Sequence, residues 1–255
     1  IVGIIHKTGL FEYLAVVSLK KSRGNPRSAL VYLLILTAVA SAILDNVTTI
    51  LLAVPMTIIA CRYLNVSAVP FILSEVYISN IGGAATLVGD PPNIIIASRA
   101  NLSFNDFLVH MAPWVIVVMM VITPMLVFMF RKELVNTAAD RARIDKLDEN
   151  SYLKDKVLLK KSLFVLGAVM IAFVLHTALH LEPSIVAMLG AGVLVGISRL
   201  KPKDYAMDVE WATLVFFAGL FIMVGALVKT GALGEFADFL KEQVGDQASL
   251  AAMVL

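Results

Sequence analysis

Three acids stand inside long apolar runs of this chain: Asp45, Glu75 and Asp90. No Lys or Arg lies deep in those runs to offset them. A bare carboxylate in apolar surroundings is costly, so each acid must be protonated, ion-bound or wet. Each of those states suits a proton or sodium site. Two of the acids sit in polar interruptions, Asp45-Asn46-Val47-Thr48-Thr49 and the stretch SNIGGAATLVGDPPN from Ser79 to Asn93. Asn46, Thr48, Thr49, Ser79, Asn80, Thr86 and Asn93 add neutral oxygens and amides. Gly82, Gly83 and Gly89 can release carbonyls from helical bonding, and Pro91 and Pro92 bring no N–H. A hard cation such as sodium wants several oxygens of this kind. Asp45, Asn46 and Asp90 are the residues expected to hold it. A half-helix N-terminus near Asn93 could instead face an anion.

The bland readings are weighed beside these. Asp45-Asn46 could be only a capped turn, since both residues cap helices well. At membrane depth the functional reading is favoured, because ionisable groups there are expensive and mark ion pathways. Glu75 would be a proton site, or it could pair with a distant residue or snorkel.

The elements that position these residues must lie in a bilayer. Hydrophobic residues make up 59% of the 255 positions and charged residues 16%. Mean hydropathy is +0.87. A soluble domain is about half apolar and about a quarter charged. The net charge of +2 gives no reason to expect nucleic acid. A single cysteine, Cys61, excludes a disulfide framework and a thiolate metal cluster within the chain. No cleavable signal peptide is visible. The chain opens at Ile1 and stops at Leu255 inside apolar runs, which reads as a piece of a longer protein.

A membrane-spanning helix needs roughly 20 apolar residues. Residues 1–27 read as the end of a span plus an interfacial helix. Residues 28–64 are too long for one crossing, and Asp45-Asn46 is the only plausible turn, so they fold as a hairpin. Residues 70–98 read as a helix broken at Gly82-Gly83 and Gly89-Asp90-Pro91-Pro92. Hairpin and broken helix together make up a transport-domain half at 28–112. A span follows at 113–130, then a charged linker at 131–161. Further spans are expected at 162–181, 183–199 and 210–229, then an interfacial helix at 232–245 and the start of a second hairpin. Trp114 and Trp211 are placed at the interfacial starts of their spans.

An internal repeat supports this map. Val2-Gly3-Ile4-Ile5-His6-Lys7-Thr8-Gly9 matches Val224-Gly225-Ala226-Leu227-Val228-Lys229-Thr230-Gly231. Lys20, Lys21, Arg23 and Arg27 follow the first copy, whereas Glu235, Asp238, Glu242 and Asp246 follow the second. The positive-inside rule puts the first copy and the 131–161 linker, with its nine Lys and Arg, in the cytoplasm. Five crossings separate the copies, so they face opposite sides. That is an inverted-topology repeat, frequent in secondary transporters.

Other features carry little. His176 and His180 share a helix face without a third ligand; His6 and His110 read as loop or helix-end residues. Gly192 and Gly196 suit helix packing. No P-loop occurs, so nothing marks an ATP-driven pump.

The stretches GIIHKTGLFEYLAV, SAILDNVTTILLAVPMTI and SNIGGAATLVGDPPNIIIAS resemble the ion transporter superfamily. The likeness is to the family of arsenite permeases, one type of sodium/proton antiporter and the melanosomal P-protein, and nearest to the P-protein branch. It covers essentially the whole chain. The resemblance implies a scaffold domain, a transport domain with a re-entrant hairpin tipped by Asp45-Asn46, homodimers and an elevator-like movement. Carboxylate transporters of the superfamily carry Ser-Asn-Thr at the tip, where this chain has Asp45-Asn46-Val47. An aspartate would repel a dianion.

The expected fold is therefore an all-α polytopic membrane protein with an inverted-topology repeat, a re-entrant helical hairpin and a broken transmembrane helix. The expected function is secondary active transport of an inorganic ion, arsenite, antimonite or sodium, coupled to protons or sodium. Its partners would be that ion, the lipid bilayer and a second copy of the chain, with no nucleic acid and no cofactor beyond the coupling ion. The expected location is a bacterial or archaeal plasma membrane. The alternative is a sodium-coupled citrate-like symporter. An intramembrane aspartyl protease is a remote third reading, because Leu87-Val88-Gly89-Asp90 lacks the first glycine of its motif.

Overall fold

The computed structural model describes residues 1–135, 144, 147–179, 181–198, 209, 211–231, 234–235 and 238–239. Among them it is all-α, with no strand. The chain divides into two compact units, Ile1–Lys201 and Pro202–Leu255. The first holds α1 (Val2–Lys7), α2 (Leu10–Lys21), α3 (Pro26–Ile43), α4 (Asn46–Leu64), α5 (Val69–Gly83), α6 (Pro91–Ala100), α7 (Phe104–Met129), a 3-10 turn (Glu149–Tyr152), α8 (Lys156–Leu179) and α9 (Pro183–Ser198). In the second, the main described element is α10 (Trp211–Lys229). Five of these helices, α3, α4, α7, α8 and α10, have stretches long and apolar enough to cross a membrane. The protein is a polytopic membrane protein.

Local chemistry explains where the helices of the first unit begin and end. Asn25 caps α3 through its side chain, and Pro26 fits the first turn, where an N–H would have no partner. The chain reverses at Leu44 and Asp45, both extended, and Asp45 caps α4. Asn65, in the left-handed region at φ 54°, ends α4. Helix α5 stops at Gly83, seven residues run without regular helix, and α6 starts on Pro91.

The helix carrying Trp114 starts ahead of the expected 113–130 span. It begins at Phe104, where Ser103 and Asp106 form a reciprocal capping box. Its first turns hold Asn105, Asp106 and His110, so the apolar signal starts well after the helix does. Trp114 consequently sits inside the helix and not at its start. Helix α8 likewise begins at Lys156, ahead of the expected 162, on an Asp155 whose side chain accepts from the Val157 and Leu158 N–H groups. The expected interfacial helix at 232–245 and the second hairpin fall largely or wholly outside the described residues, as does His180.

Two apolar clusters position the site. One joins α2, α3, α4, α5 and α7 through Leu19, Leu30, Leu34, Leu64, Phe71 and Leu126. The other gathers α6, α7, α8 and α9 around Phe104, Phe107, Phe173 and Leu194. Helix α3 packs most extensively on α5. Gly82 permits this, since a Cβ there would lie 2.5 Å from the Ala38 carbonyl oxygen.

Candidate ion site at the hairpin tip

The turn of the α3–α4 hairpin meets the unwound stretch between α5 and α6. Asp45 is half-buried, and its carboxylate accepts from the Thr48 N–H at 2.8 Å and from the Thr48 hydroxyl. Capping through Oδ1 is thus one of its roles, while Oδ2 takes the Thr48 hydroxyl. Asn46 donates through Nδ2 to Asn80 Oδ1 at 3.1 Å, which ties the tip to the last turns of α5. Asn80 donates in turn to the Val76 carbonyl at 2.8 Å.

Hydroxyls and one amide hold the unwound stretch open. Ser41 Oγ donates to the Ser79 carbonyl at 2.7 Å, and Thr86 Oγ1 donates to the Ala42 carbonyl at 2.6 Å. Both bonds run between the hairpin and the broken helix. Thr86 Oγ1 also accepts from the Gly89 N–H at 3.0 Å. Asn93 Nδ2 donates to the Thr86 carbonyl at 2.8 Å and the Gly83 carbonyl at 3.2 Å, so its amide holds carbonyls that α5 no longer uses. Gly83 and Gly89 touch backbone to backbone: a Cβ on Gly89 would lie 2.5 Å from the Gly83 oxygen and 2.8 Å from the Ser41 oxygen. No side chain fits there.

Asp90 stands at the start of α6, half-buried, and its side chain makes no capping bond. The Asp45 carboxyl lies close enough to act on it electrostatically. Neither acid is in an ion pair among the described residues. Two carboxyls in one neighbourhood repel when both ionise, so a shared proton or a cation relieves the pair. Pro91 and Pro92 begin α6 without N–H groups, which leaves that helix start with less to offer an anion.

Of the residues singled out in the sequence, Asp45, Asn46, Thr48, Asn80 and Asp90 converge on the tip. Ser79, Gly82, Gly83, Thr86, Gly89 and Asn93 build its frame. Thr49 and Glu75 lie elsewhere: both line a small buried cavity between α2, α3, α4 and α5. Sequence reasoning missed Ser41 and Thr57. Their signal was spacing, because Thr37 and Ser41 are four apart on α3, and Thr49, Ala53, Thr57 and Cys61 form one stripe on α4. A cavity of about 590 Å³ between α3, α7 and the broken helix is lined by apolar residues such as Ile35, Val39 and Met120. Neither tip acid lines it, and it offers a hydrophilic solute few partners.

A hairpin set against a broken helix within apolar spans, with acids at their meeting point, is the architecture of a membrane transporter. The chain belongs to the citrate transporter family, whose model matches residues 1–255. It is 51% identical over 237 residues to the 46 kDa membrane protein of Mycobacterium leprae, covering 93% of this chain and 55% of that protein. It is 48% identical over 256 residues to an uncharacterized transporter of Mycobacterium tuberculosis, covering 100% of this chain and 59% of that protein. The P protein of Homo sapiens is 31% identical over 322 residues, covering 98% of this chain and 38% of that protein. The chain therefore spans little more than half the length of the mycobacterial relatives it matches.

Proposed function

We propose that the whole protein is a secondary active transporter of an inorganic ion, driven by or exchanged against protons or sodium. The observation that carries this reading is the docking of the hairpin turn, which bears Asp45, against the unwound stretch that ends at Asp90. Two acids with no cationic side chain paired to them among the described residues favour a cation, a proton or a neutral hydroxide such as arsenous acid. They disfavour a di- or tricarboxylate, which would add negative charge to the same neighbourhood. Asn46 and Asn80 supply amide groups that orient the solute beside the acids. The bilayer in question is the plasma membrane of a bacterium, in keeping with the mycobacterial relatives, with the 131–161 linker in the cytoplasm. A dimer that moves the tip site across the membrane against a fixed scaffold completes the reading.

Citrate-like symport is the second reading, favoured by the family match itself. A cation bound between Asp45 and Asp90 would screen their charge for a carboxylate substrate. The test is uptake by the full-length protein in liposomes under an imposed proton or sodium gradient, with sodium, arsenite and citrate compared. Gradient-driven movement of sodium or arsenite is expected. Uptake confined to citrate would overturn the first reading in favour of the second. Equal flux of any solute with and without the gradient would overturn both.

A further inference from the structure

We propose that Glu75, Thr57 and Thr49 form a proton-binding site separate from the hairpin tip, with the proton carried on Glu75 Oε2. Glu75 is fully buried at 0% exposure. Thr57 Oγ1 donates to its Oε1 at 2.7 Å. Its other oxygen, Oε2, has no hydrogen-bond partner among the described residues, and neither does Thr49 Oγ1. Both residues line one cavity of about 20 Å³, with Thr37 contributed by α3. One water needs roughly 10–15 Å³ and two or more polar partners. The cavity has room for a single water joining Oε2 to the threonine hydroxyls.

Among the described residues, no cationic side chain lines the cavity around the carboxyl, which leaves a proton or a small cation to neutralise it. Helix α2 presents Phe11 and Ala15 to the cavity, and α3 presents apolar residues and Thr37. Helix α4 presents Ala53 and Met56 beside its two threonines, and its Cys61 thiol is a titratable group near enough to interact with Glu75. Helix α7 also packs on α5 but lends the cavity no residue. A proton needs only the Oε2 lone pair. A sodium ion needs several oxygens, and the cavity offers one free carboxyl oxygen and three hydroxyls.

The position suits a coupling group. A second cavity, of about 30 Å³, shares Ala15 and Met56 with the first and is lined by Glu12 and Tyr63. Glu12 Oε2 is likewise buried without a partner among the described residues. On the other side, the Thr49 N–H donates to the Asp45 carbonyl at 3.0 Å. Glu75 thus lies between the Glu12 end of the unit and the hairpin tip. Loading moves a proton from hydronium to Oε2, leaving water and a carboxylic acid; unloading is the reverse. The coupling role rests on the transport reading, whereas proton binding itself does not.

The test is infrared difference spectroscopy of the full-length protein in lipid membranes over a pH series. A carbonyl band of a protonated, buried carboxyl is expected, lost reversibly as pH rises and missing from Glu75→Gln. Thr57→Val and Thr49→Val should shift its frequency. The absence of any Glu75-dependent band would overturn the proposal, as would a band that never titrates while the protein stays folded. A band removed by sodium at constant pH would make this a sodium site and defeat the proton assignment. If Glu75→Gln does not fold, the two threonine variants decide: an unshifted band in both counts against the site. Flux measured on the same membranes separates the two claims. Glu75→Gln should transport without proton dependence, while a wild type lacking gradient-driven flux but keeping the titrating band would sink the transport reading alone.

Discussion

Asp45 has two roles that substitution can pull apart. As a cap it is replaceable, because Asn and Asp cap helices about equally well, whereas Ala loses about 0.5–2 kcal/mol. As a charge it is not. Asp45→Asn should therefore leave the thermal unfolding of the protein within a few degrees of wild type and abolish ion-coupled flux. Asp45→Ala should lower both. Asn93 is expected to act differently, since its amide serves the Gly83 and Thr86 carbonyls. Asn93→Leu leaves buried carbonyls unpaired at roughly 1–3 kcal/mol. Its signature is a lowered unfolding temperature, together with lost flux. Gly89→Ala forces a methyl onto two backbone oxygens that cannot yield, and overpacking of this kind costs about 1–3 kcal/mol or more. A Gly89→Ala protein as stable as wild type would mean the unwound stretch is looser than described.

At the scale of elements, the hairpin turn and the break in the α5–α6 segment were legible because their residues have few alternatives. A 33-residue apolar stretch from Ala29 to Cys61 exceeds any single span, and apart from small hydroxyls only Asp45-Asn46 interrupts it. Two prolines after Gly89-Asp90 leave α6 no other place to start. The beginnings of α7 and α8 were not legible from hydropathy, because capping by Ser103, Asp106 and Asp155 extends those helices into polar sequence. The pairing of Thr57 with Glu75 was hidden for a related reason, as it joins residues on different helices whose register only packing sets. The linker offers a further element-scale test. Lys20 is hydrogen-bonded to Glu149, and the Lys154 N–H donates to the Thr8 carbonyl at 2.9 Å, so residues 149–154 lie against α2 and its start. The Lys20 ammonium holds the Glu149 carboxyl below its ordinary range. That contribution is therefore present above the ordinary carboxylate range and is lost as pH falls through the depressed value. Protection of the amides at 149–154, taken relative to the intrinsic exchange rate at each pH, should fall on acidification through that window. In Lys20→Gln, exchange should already be fast at neutral pH; unchanged exchange would show that the pair does not hold the linker.

At the scale of the whole molecule, the chain belongs to the citrate transporter family, and the transport proposed for the full protein would draw its chemistry from the tip site. Membrane proteins place acids at depth at a cost that function has to justify. Here the two tip acids, the amides beside them and the backbone that unwinds to meet them come from a hairpin and a broken helix joined by Ser41 and Thr86, with Asn93 bracing the unwound stretch itself. If Asp45 and Asp90 share one ion, removing either charge should defeat binding of that ion, and removing both should do no further harm, because coupled groups are not additive. The most direct measurement is gradient-driven flux by the full-length protein in liposomes for Asp45→Asn, Asp90→Asn and the double variant. Loss of coupled flux in each single variant, with the double variant no worse, is the predicted result. Wild-type coupling in either single variant would contradict a shared site.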